Sequence, residues 1–224
     1  AAFLSVISHE LSTPLNHILG PCEIVAEEMP AGESKQLLEN ATTAAHHLAE
    51  LVQRIIRFSE LSSQTANELN LLEDPELWLA LALQQHRETA KERNFALEHS
   101  VSDDFPETFA VDETALREIM YALIDNALEY STPGTVRIEL SLKEGKGRLA
   151  VVDPGPALSE ADKGRIFQPF QQLDMSSRRE HRGVGLGLCL SRRYAKRCGG
   201  SIEVKTDPGG GNRFEFIFPI TTKS

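Results

Sequence analysis

Ser8-His9-Glu10-Leu11-Ser12-Thr13-Pro14-Leu15 lies inside a seven-residue apolar repeat, and that repeat decides the fold of the N-terminal part of the chain. Leu4, Leu11, Ile18 and Val25 recur at sevens, with Ile7, Cys22 and Met29 beside them. The pattern predicts a helix with one apolar stripe and places His9 on the opposite, solvent side. His9 and Thr13 are four positions apart and share a helix face. An imidazole next to the Glu10 carboxylate, with a hydroxyl one turn on, is a candidate site for nucleophilic chemistry. Pro14 interrupts the backbone ladder just beyond it and is expected to kink or loosen the helix.

Zinc chemistry does not fit this stretch. The His-Glu-x-x-His pattern of zinc proteases needs a second imidazole at the fifth position, where this chain has Thr13. His46-His47 is no substitute, because adjacent helical residues point about 100° apart.

The first helix is predicted to reach Glu28. Met29-Pro30-Ala31-Gly32-Glu33-Ser34 then breaks it, with Ser34 as the expected cap of a second helix. That helix carries Leu37, Ala41, Ala44, Leu48, Leu51, Ile55 and Phe58, spaced alternately by four and three, which is the period of a coiled-coil seam. A lone hairpin with such seams leaves much apolar surface bare, so pairing into a dimeric four-helix bundle is expected. The polar run Ser62-Ser63-Gln64-Thr65-Ala66-Asn67 reads as a linker, giving domains of residues 1–63 and 64–224.

Beyond the linker, strands and helices alternate. Strands are expected at Glu68–Leu72, Phe95–Val101, Thr108–Val111, Thr135–Leu142, Arg148–Val152, Ser201–Thr206 and Arg213–Phe218. One helix is expected over Pro75–Arg93, a second after a cap at Asp112, and a third over Leu188–Arg197, stopped by Gly199-Gly200. Glu144-Gly145-Lys146-Gly147 and Pro208-Gly209-Gly210-Gly211-Asn212 read as hairpin turns. The predicted class is α+β: a helical hairpin followed by an α/β sandwich with helices on one face of a mixed sheet.

The 224 residues carry a net charge of −10, which argues against nucleic acid or an anionic membrane as the main partner. Cys22, Cys189 and Cys198 form no disulfide framework and no paired metal-ligand spacing, which fits a reducing cytosolic setting. No run approaches the ~20 apolar residues of a membrane span. The chain starts within the His9 helix, so it is expected to be a fragment of a longer protein.

Three further places can carry chemistry. Asp153 ends the apolar strand Leu149-Ala150-Val151-Val152 and leads into a Pro/Gly turn, where its carboxylate is placed either to cap the turn or to accept from an exocyclic amine. Gly155 allows close backbone approach. Asn126, in mid-helix, has a hard amide oxygen suited to Mg²⁺, and Tyr130 lies one turn later. Gly183, Gly185 and Gly187 open the Leu188 helix, whose free N–H groups favour phosphate oxygens. The preceding run Ser176-Ser177-Arg178-Arg179-Glu180-His181-Arg182 is either a solvated charge run or a lid that reaches a polyphosphate.

Taken in order, these segments resemble a sensor histidine kinase core. Phe3 to Gly20 is similar to the H box, Leu123-Ile124-Asp125-Asn126-Ala127-Leu128-Glu129-Tyr130-Ser131 to the N box, and Asp153-Pro154-Gly155-Pro156-Ala157 to the first glycine box. Ile166-Phe167-Gln168-Pro169-Phe170 resembles the F box, and Gly183-Val184-Gly185-Leu186-Gly187-Leu188 the second glycine box. The resemblance implies the ATP-binding fold shared with gyrase and Hsp90. It also implies that ATP is held by Asn126, Tyr130, Asp153, Gly155, Phe167, Gly183, Gly185, Gly187 and Leu188, with Mg²⁺ on Asn126.

It further implies phosphoryl transfer to His9, with Glu10 handling the proton of the other ring nitrogen. Passage of the phosphoryl group to an aspartate of a response-regulator receiver follows. Thr13 matches the position that orients water for dephosphorylating that receiver. The expected setting is a homodimer in the cytoplasmic portion of a membrane-anchored bacterial sensor.

Four residues depart from the family pattern: Ser12, Ala122, Glu129 and Ala157. Glu129 stands where a basic residue usually helps hold the phosphates. A carboxylate about 4 Å from a phosphate costs on the order of several kcal/mol at intermediate dielectric. The alternative reading is therefore a catalytically weak homologue that regulates another sensor kinase by heterodimerisation or dephosphorylation.

Overall fold

The computed structural model describes residues 14, 17–60, 69–169, 171 and 185–221. The chain divides into two compact units, Ala1–Gln64 and Thr65–Ser224.

In the first unit, helix α1 covers residues 17–28 and α2 covers Glu33–Glu60. α2 starts before the expected cap: Gln36 N–H donates to the Gly32 carbonyl at 3.1 Å, so Ser34 lies inside the first turn. Between the two helices, His46 Nε2 lies 2.7 Å from Glu23 Oε1. Leu19 and Ile56 are buried, whereas Ile18, Val25, Leu37 and Leu48 of the predicted seams remain 47–63% exposed.

The second unit runs β1 (Asn70–Glu73), α3 (Pro75–Ala82), α4 (Gln84–Glu92), β2 (Ala96–Val101), β3 (Thr108–Val111), α5 (Glu113–Tyr130), β4 (Thr135–Lys143), β5 (Lys146–Asp153), α6 (Glu160–Arg165), α7 (Gly187–Arg197), β6 (Ser201–Thr206) and β7 (Asn212–Pro219). Five strands form one mixed sheet in the order β2-β4-β5-β7-β6, with β2 parallel to β4 and the other pairs antiparallel. β1 and β3 stand apart as a two-stranded antiparallel sheet.

Alternation decides which face is covered. Val136, Ile138, Leu140, Leu149, Val151, Phe214, Phe216 and Phe218 are fully or almost fully buried, as are Leu116, Ile119, Met120, Leu123, Ile124 and Leu128 of α5. The other face carries long charged side chains in pairs: Arg148 Nη1 to Glu215 at 2.8 Å, Arg213 Nη1 to Glu139 at 2.6 Å and Arg137 Nη2 to Asp207 at 3.1 Å. Their aliphatic stems cover the sheet where no helix does.

The expected helix Pro75–Arg93 is two helices. His86 N–H donates to the Leu83 carbonyl at 3.1 Å, three residues back, and this tightens the chain at the fully buried Leu83. No proline or glycine marks that turn, so the segment reads as continuous. Of the strand expected at Glu68–Leu72, Glu68 lies outside the described residues, Leu69 is not in a strand, and β1 runs over Asn70–Glu73. Glu144 and Gly145, with φ of 54° and 71°, make a two-residue turn that lets β4 and β5 run longer than expected. The short helix α6, capped by the Ser159 hydroxyl, was not anticipated.

Asp112 caps α5 as predicted: its Oδ1 accepts from Ala115 N–H at 2.9 Å. Its Oδ2 accepts from Arg197 Nη2 at 3.1 Å, and the two side chains are 2% and 7% exposed. This buried pair ties the start of the N-box helix to the end of α7. The three cysteines are free, and burial pushes the Cys198 thiol up to about 11, so it stays protonated.

Candidate functional site

The site is built where β5 and β7 end side by side. Asp153 is the last residue of β5 and pairs in register with Asn212, the first of β7. Both are buried polar residues, 2% and 5% exposed. A buried carboxylate needs donors, and three converge on Asp153 Oδ1. They are the Ser131 hydroxyl at 2.5 Å, Gly155 N–H at 2.8 Å and Asn212 Nδ2 at 3.3 Å. Among the described residues no donor reaches Oδ2. One oxygen is thus committed to the fold and the other is left to accept from a ligand.

The turn after Asp153 is held just as closely. Asn212 Nδ2 also donates to the Pro156 carbonyl at 3.0 Å, and its Oδ1 accepts from Leu158 N–H at 2.9 Å. Thr132 Oγ1 donates to the Pro154 carbonyl at 3.0 Å. A Cβ at Gly155 would sit 2.6 Å from Asp153 Oδ1 and 2.8 Å from Ser131 Oγ. At Gly211, with φ of +90°, it would sit 1.9 Å from the Asp153 carbonyl oxygen. Only glycine fits either place. Ala157 is exposed, so its methyl does not press on this turn.

Asn126 lies on α5, partly buried, and its side-chain amide makes no hydrogen bond to another described residue. Tyr130, one turn later, is 40% exposed, and Glu129 beside it is partly buried. At α7, Gly185 takes a φ of +71° and Gly187 is the first helical residue. A Cβ on Gly187 would meet nothing within 4 Å. The first internal bond of that helix is Leu190 N–H to the Leu186 carbonyl at 2.9 Å, which leaves the N–H groups of the first turn for an acceptor. Leu188 is partly buried there. Phe167 is 7% exposed, with the Arg192 guanidinium 5.6 Å above its ring.

His9, Glu10, Thr13 and Gly183 lie outside the described residues. Asp153, Gly155 and their donors form one cluster, whereas Phe167 is packed as a core residue. Ser131 and Asn212 were not singled out as site residues in the sequence. Ser131 closes the N box, and Asn212 follows three glycines at a strand start, but only the packing of α5 on the sheet brings the first to Asp153, and only the β5–β7 register brings the second. The donor set suits an adenine nucleotide. Asp153 Oδ2 can take an exocyclic amine, the glycine cradle admits a flat base, and the start of α7 suits phosphate. The Asn126 oxygen can supply one ligand to a Mg²⁺ that keeps waters and phosphates for the rest.

A twisted mixed sheet with α5 and α7 on one face and a carboxylate at a strand end is the architecture of an ATP-binding α/β sandwich. Residues 111–222 match the family described as histidine kinase-, DNA gyrase B- and HSP90-like ATPase, and residues 1–64 match the His Kinase A (phospho-acceptor) domain. The chain belongs to the sensor histidine kinases, as their phosphoacceptor and ATPase core.

It is 30% identical to the autoinducer 2 sensor kinase/phosphatase LuxQ of Vibrio cholerae, over 98% of this chain and 26% of that protein. With the aerobic respiration control sensor protein ArcB of Escherichia coli it shares 32% identity, over 95% of this chain and 28% of that one. The chain thus spans about a quarter of the length of the curated relatives it matches. Among solved structures, full-length ShkA in complex with AMPPNP superposes with a TM-score of 0.83 at 29% identity, covering 100% of this chain and 46% of that one. The Acinetobacter baumannii histidine kinase AdeS shares the fold, with a TM-score of 0.64 at 22% identity, over 96% of this chain and 98% of that one.

Proposed function

We propose that this chain is the ATP-dependent phosphotransfer core of a two-component sensor, autophosphorylating on His9. The observation that carries this is Asp153, a buried carboxylate with Oδ1 saturated by Ser131, Gly155 and Asn212 and Oδ2 left to accept from a base. It sits on the fold of a relative that was solved with an ATP analogue.

In this reading Asp153 selects adenine and the start of α7 receives the phosphates. The Asn126 amide oxygen would hold Mg²⁺, which would supply charge neutralisation at the phosphates. One imidazole nitrogen of His9 attacks the γ-phosphorus, the bond to the β–γ bridging oxygen breaks, and ADP leaves. Glu10 takes the proton from the ring, so the attacking nitrogen keeps its lone pair. The phosphoryl group then passes to an aspartate of a receiver domain, and Thr13 orients water for the phosphatase reaction, in which that water attacks the aspartyl phosphate and inorganic phosphate leaves. The exposed Ile18, Val25, Leu37 and Leu48 support pairing of two hairpins into a four-helix bundle. The cytoplasm is the fitting compartment for ATP chemistry. Among the described residues no helix is long and apolar enough to cross a membrane.

Glu129 favours a second reading, in which this chain binds nucleotide weakly and regulates another sensor kinase through a mixed bundle or by dephosphorylation. Calorimetric titration with Mg·ATP decides between the two. Binding at micromolar to millimolar concentration, lost in Asp153→Asn, supports the kinase; no binding at millimolar nucleotide leaves only the regulator.

A further inference from the structure

We propose that His86, which belongs to none of the five boxes, is a positioning residue for the magnesium ligand Asn126, acting through the Asp125 carboxylate. The inference rests on the nucleotide reading above.

Along α5, Glu113, Arg117, Tyr121 and Asp125 recur every four residues and form one stripe. α3 and α4 cover it. Trp78 Nε1 donates to Glu113 Oε1 at 3.0 Å, and the Arg117 guanidinium lies 5.4 Å over the Trp78 ring. Arg117 Nη1 donates to the Tyr121 hydroxyl at 3.3 Å, and the Tyr121 and His86 rings meet with centroids 4.9 Å apart. The stripe ends where His86 Nε2 stands 3.2 Å from Asp125 Oδ1.

His86 is 6% exposed, and its Nδ1 is buried with no partner among the described residues. The hydrogen therefore belongs on Nε2, where a carboxylate accepts it, and the bare lone pair on Nδ1. A leucine would fill this space without stranding a polar atom. What the imidazole adds is the bond to Asp125, whose side chain is otherwise 55% exposed. Asp125 directly precedes Asn126, and adjacent helical side chains diverge by about 100°. Holding Asp125 against α4 adds a polar restraint to α5, whose rotation is set mainly by its buried apolar face, and steadies the turn that presents the Asn126 amide on its other side. It also holds the Asp125 carboxylate away from the face of α5 on which Asn126 would meet the phosphates. Groups that hydrogen-bond a metal ligand directly change metal affinity by about tenfold to a hundredfold when removed, and His86, which acts through the neighbouring residue, is set at the low end of that range.

The test is calorimetric titration of ADP into the full chain, once with Mg²⁺ and once with EDTA. The parent should bind more tightly with Mg²⁺, and Asn126→Ala should abolish that gain. In His86→Leu the metal-free affinity should stay within about twofold, while the gain from Mg²⁺ falls about tenfold. His86→Gln, which keeps a donor toward Asp125, should restore most of it. Asp125→Leu, which keeps the ring but removes its partner, should match His86→Leu in the magnesium gain, and the double variant should be no worse. An unchanged magnesium gain in His86→Leu and Asp125→Leu overturns the proposal, as does an equal loss with and without the metal. If Asn126→Ala leaves the gain intact, or the parent binds no nucleotide, the nucleotide reading falls and takes this one with it.

Discussion

The Ser131 hydroxyl donates to Asp153 Oδ1 across 2.5 Å, joining the end of α5 to the end of β5 over 22 residues of chain. This bond fixes the carboxylate from the helix side while Asn212 fixes it from the strand side. The orientation of Oδ2 is set before any ligand arrives, so little ordering cost remains at binding.

Ser131→Ala should therefore weaken nucleotide binding without abolishing it, by about fivefold to tenfold, the worth of one ordinary hydrogen bond, because Gly155 and Asn212 still hold the carboxylate. Asp153→Asn should cost more than tenfold, because the amide offers the base a donor where an acceptor is needed. Calorimetry with Mg·ATP reads both, and an Asp153→Asn protein that binds like the parent would remove Asp153 from the site.

Gly211→Ala tests the cradle. The new Cβ would lie 1.9 Å from the Asp153 carbonyl oxygen at a φ of +90°. The expected cost is at least about 2 kcal/mol, which lowers the melting temperature by several degrees in a domain of this size. Gly145→Ala has a positive φ of 71° but open space around it and should lose less. Thermal unfolding of the two variants side by side is the check.

Glu129→Lys places a basic residue where the resemblance implies one. On the kinase reading it should tighten Mg·ATP binding at low salt, with the gain shrinking as salt rises. Equal affinity at every ionic strength would mean that Glu129 does not face the phosphates.

His9→Gln should abolish acid-labile phosphate incorporation from labelled ATP, while Thr13→Ala should keep incorporation and slow the loss of phosphate from a receiver. Labelling that persists in His9→Gln would assign the acceptor elsewhere.

On the charged face of the sheet, burial raises the Glu215 carboxyl, but Lys205, Arg148 and Arg213 outweigh that and hold it below its ordinary 4.5. A carboxylate depressed on folding contributes stability that is complete above the unfolded value and disappears as pH falls through the folded one. Glu215→Gln should therefore be less stable than the parent at pH 7, and the gap should close as pH falls below about 4.5. A gap that stays constant from pH 7 to pH 3 would refute this account.

Much of this was legible along the chain. Asp112 announced its cap, the alternation in β4 and β7 announced a half-covered sheet, and the spacing of Leu37, Leu48 and their neighbours announced a helix that needs a partner. Local patterns of this kind record which face is buried, because the helix and strand periods are built into the backbone. The break at Leu83 was not legible, since a single tightened turn inside a good helix former leaves no residue signal.

By itself the sequence determined the alternating elements, the ordered motifs and the candidate acceptor in the opening octapeptide. Tertiary structure alone decided that Ser131 and Asn212 share one oxygen of Asp153 and that His86 meets Asp125. Those partners lie 22, 59 and 39 residues apart in the chain. Contacts at such separations depend on strand register and helix packing, which no local pattern encodes. The burial of those polar groups is what makes each contact obligatory.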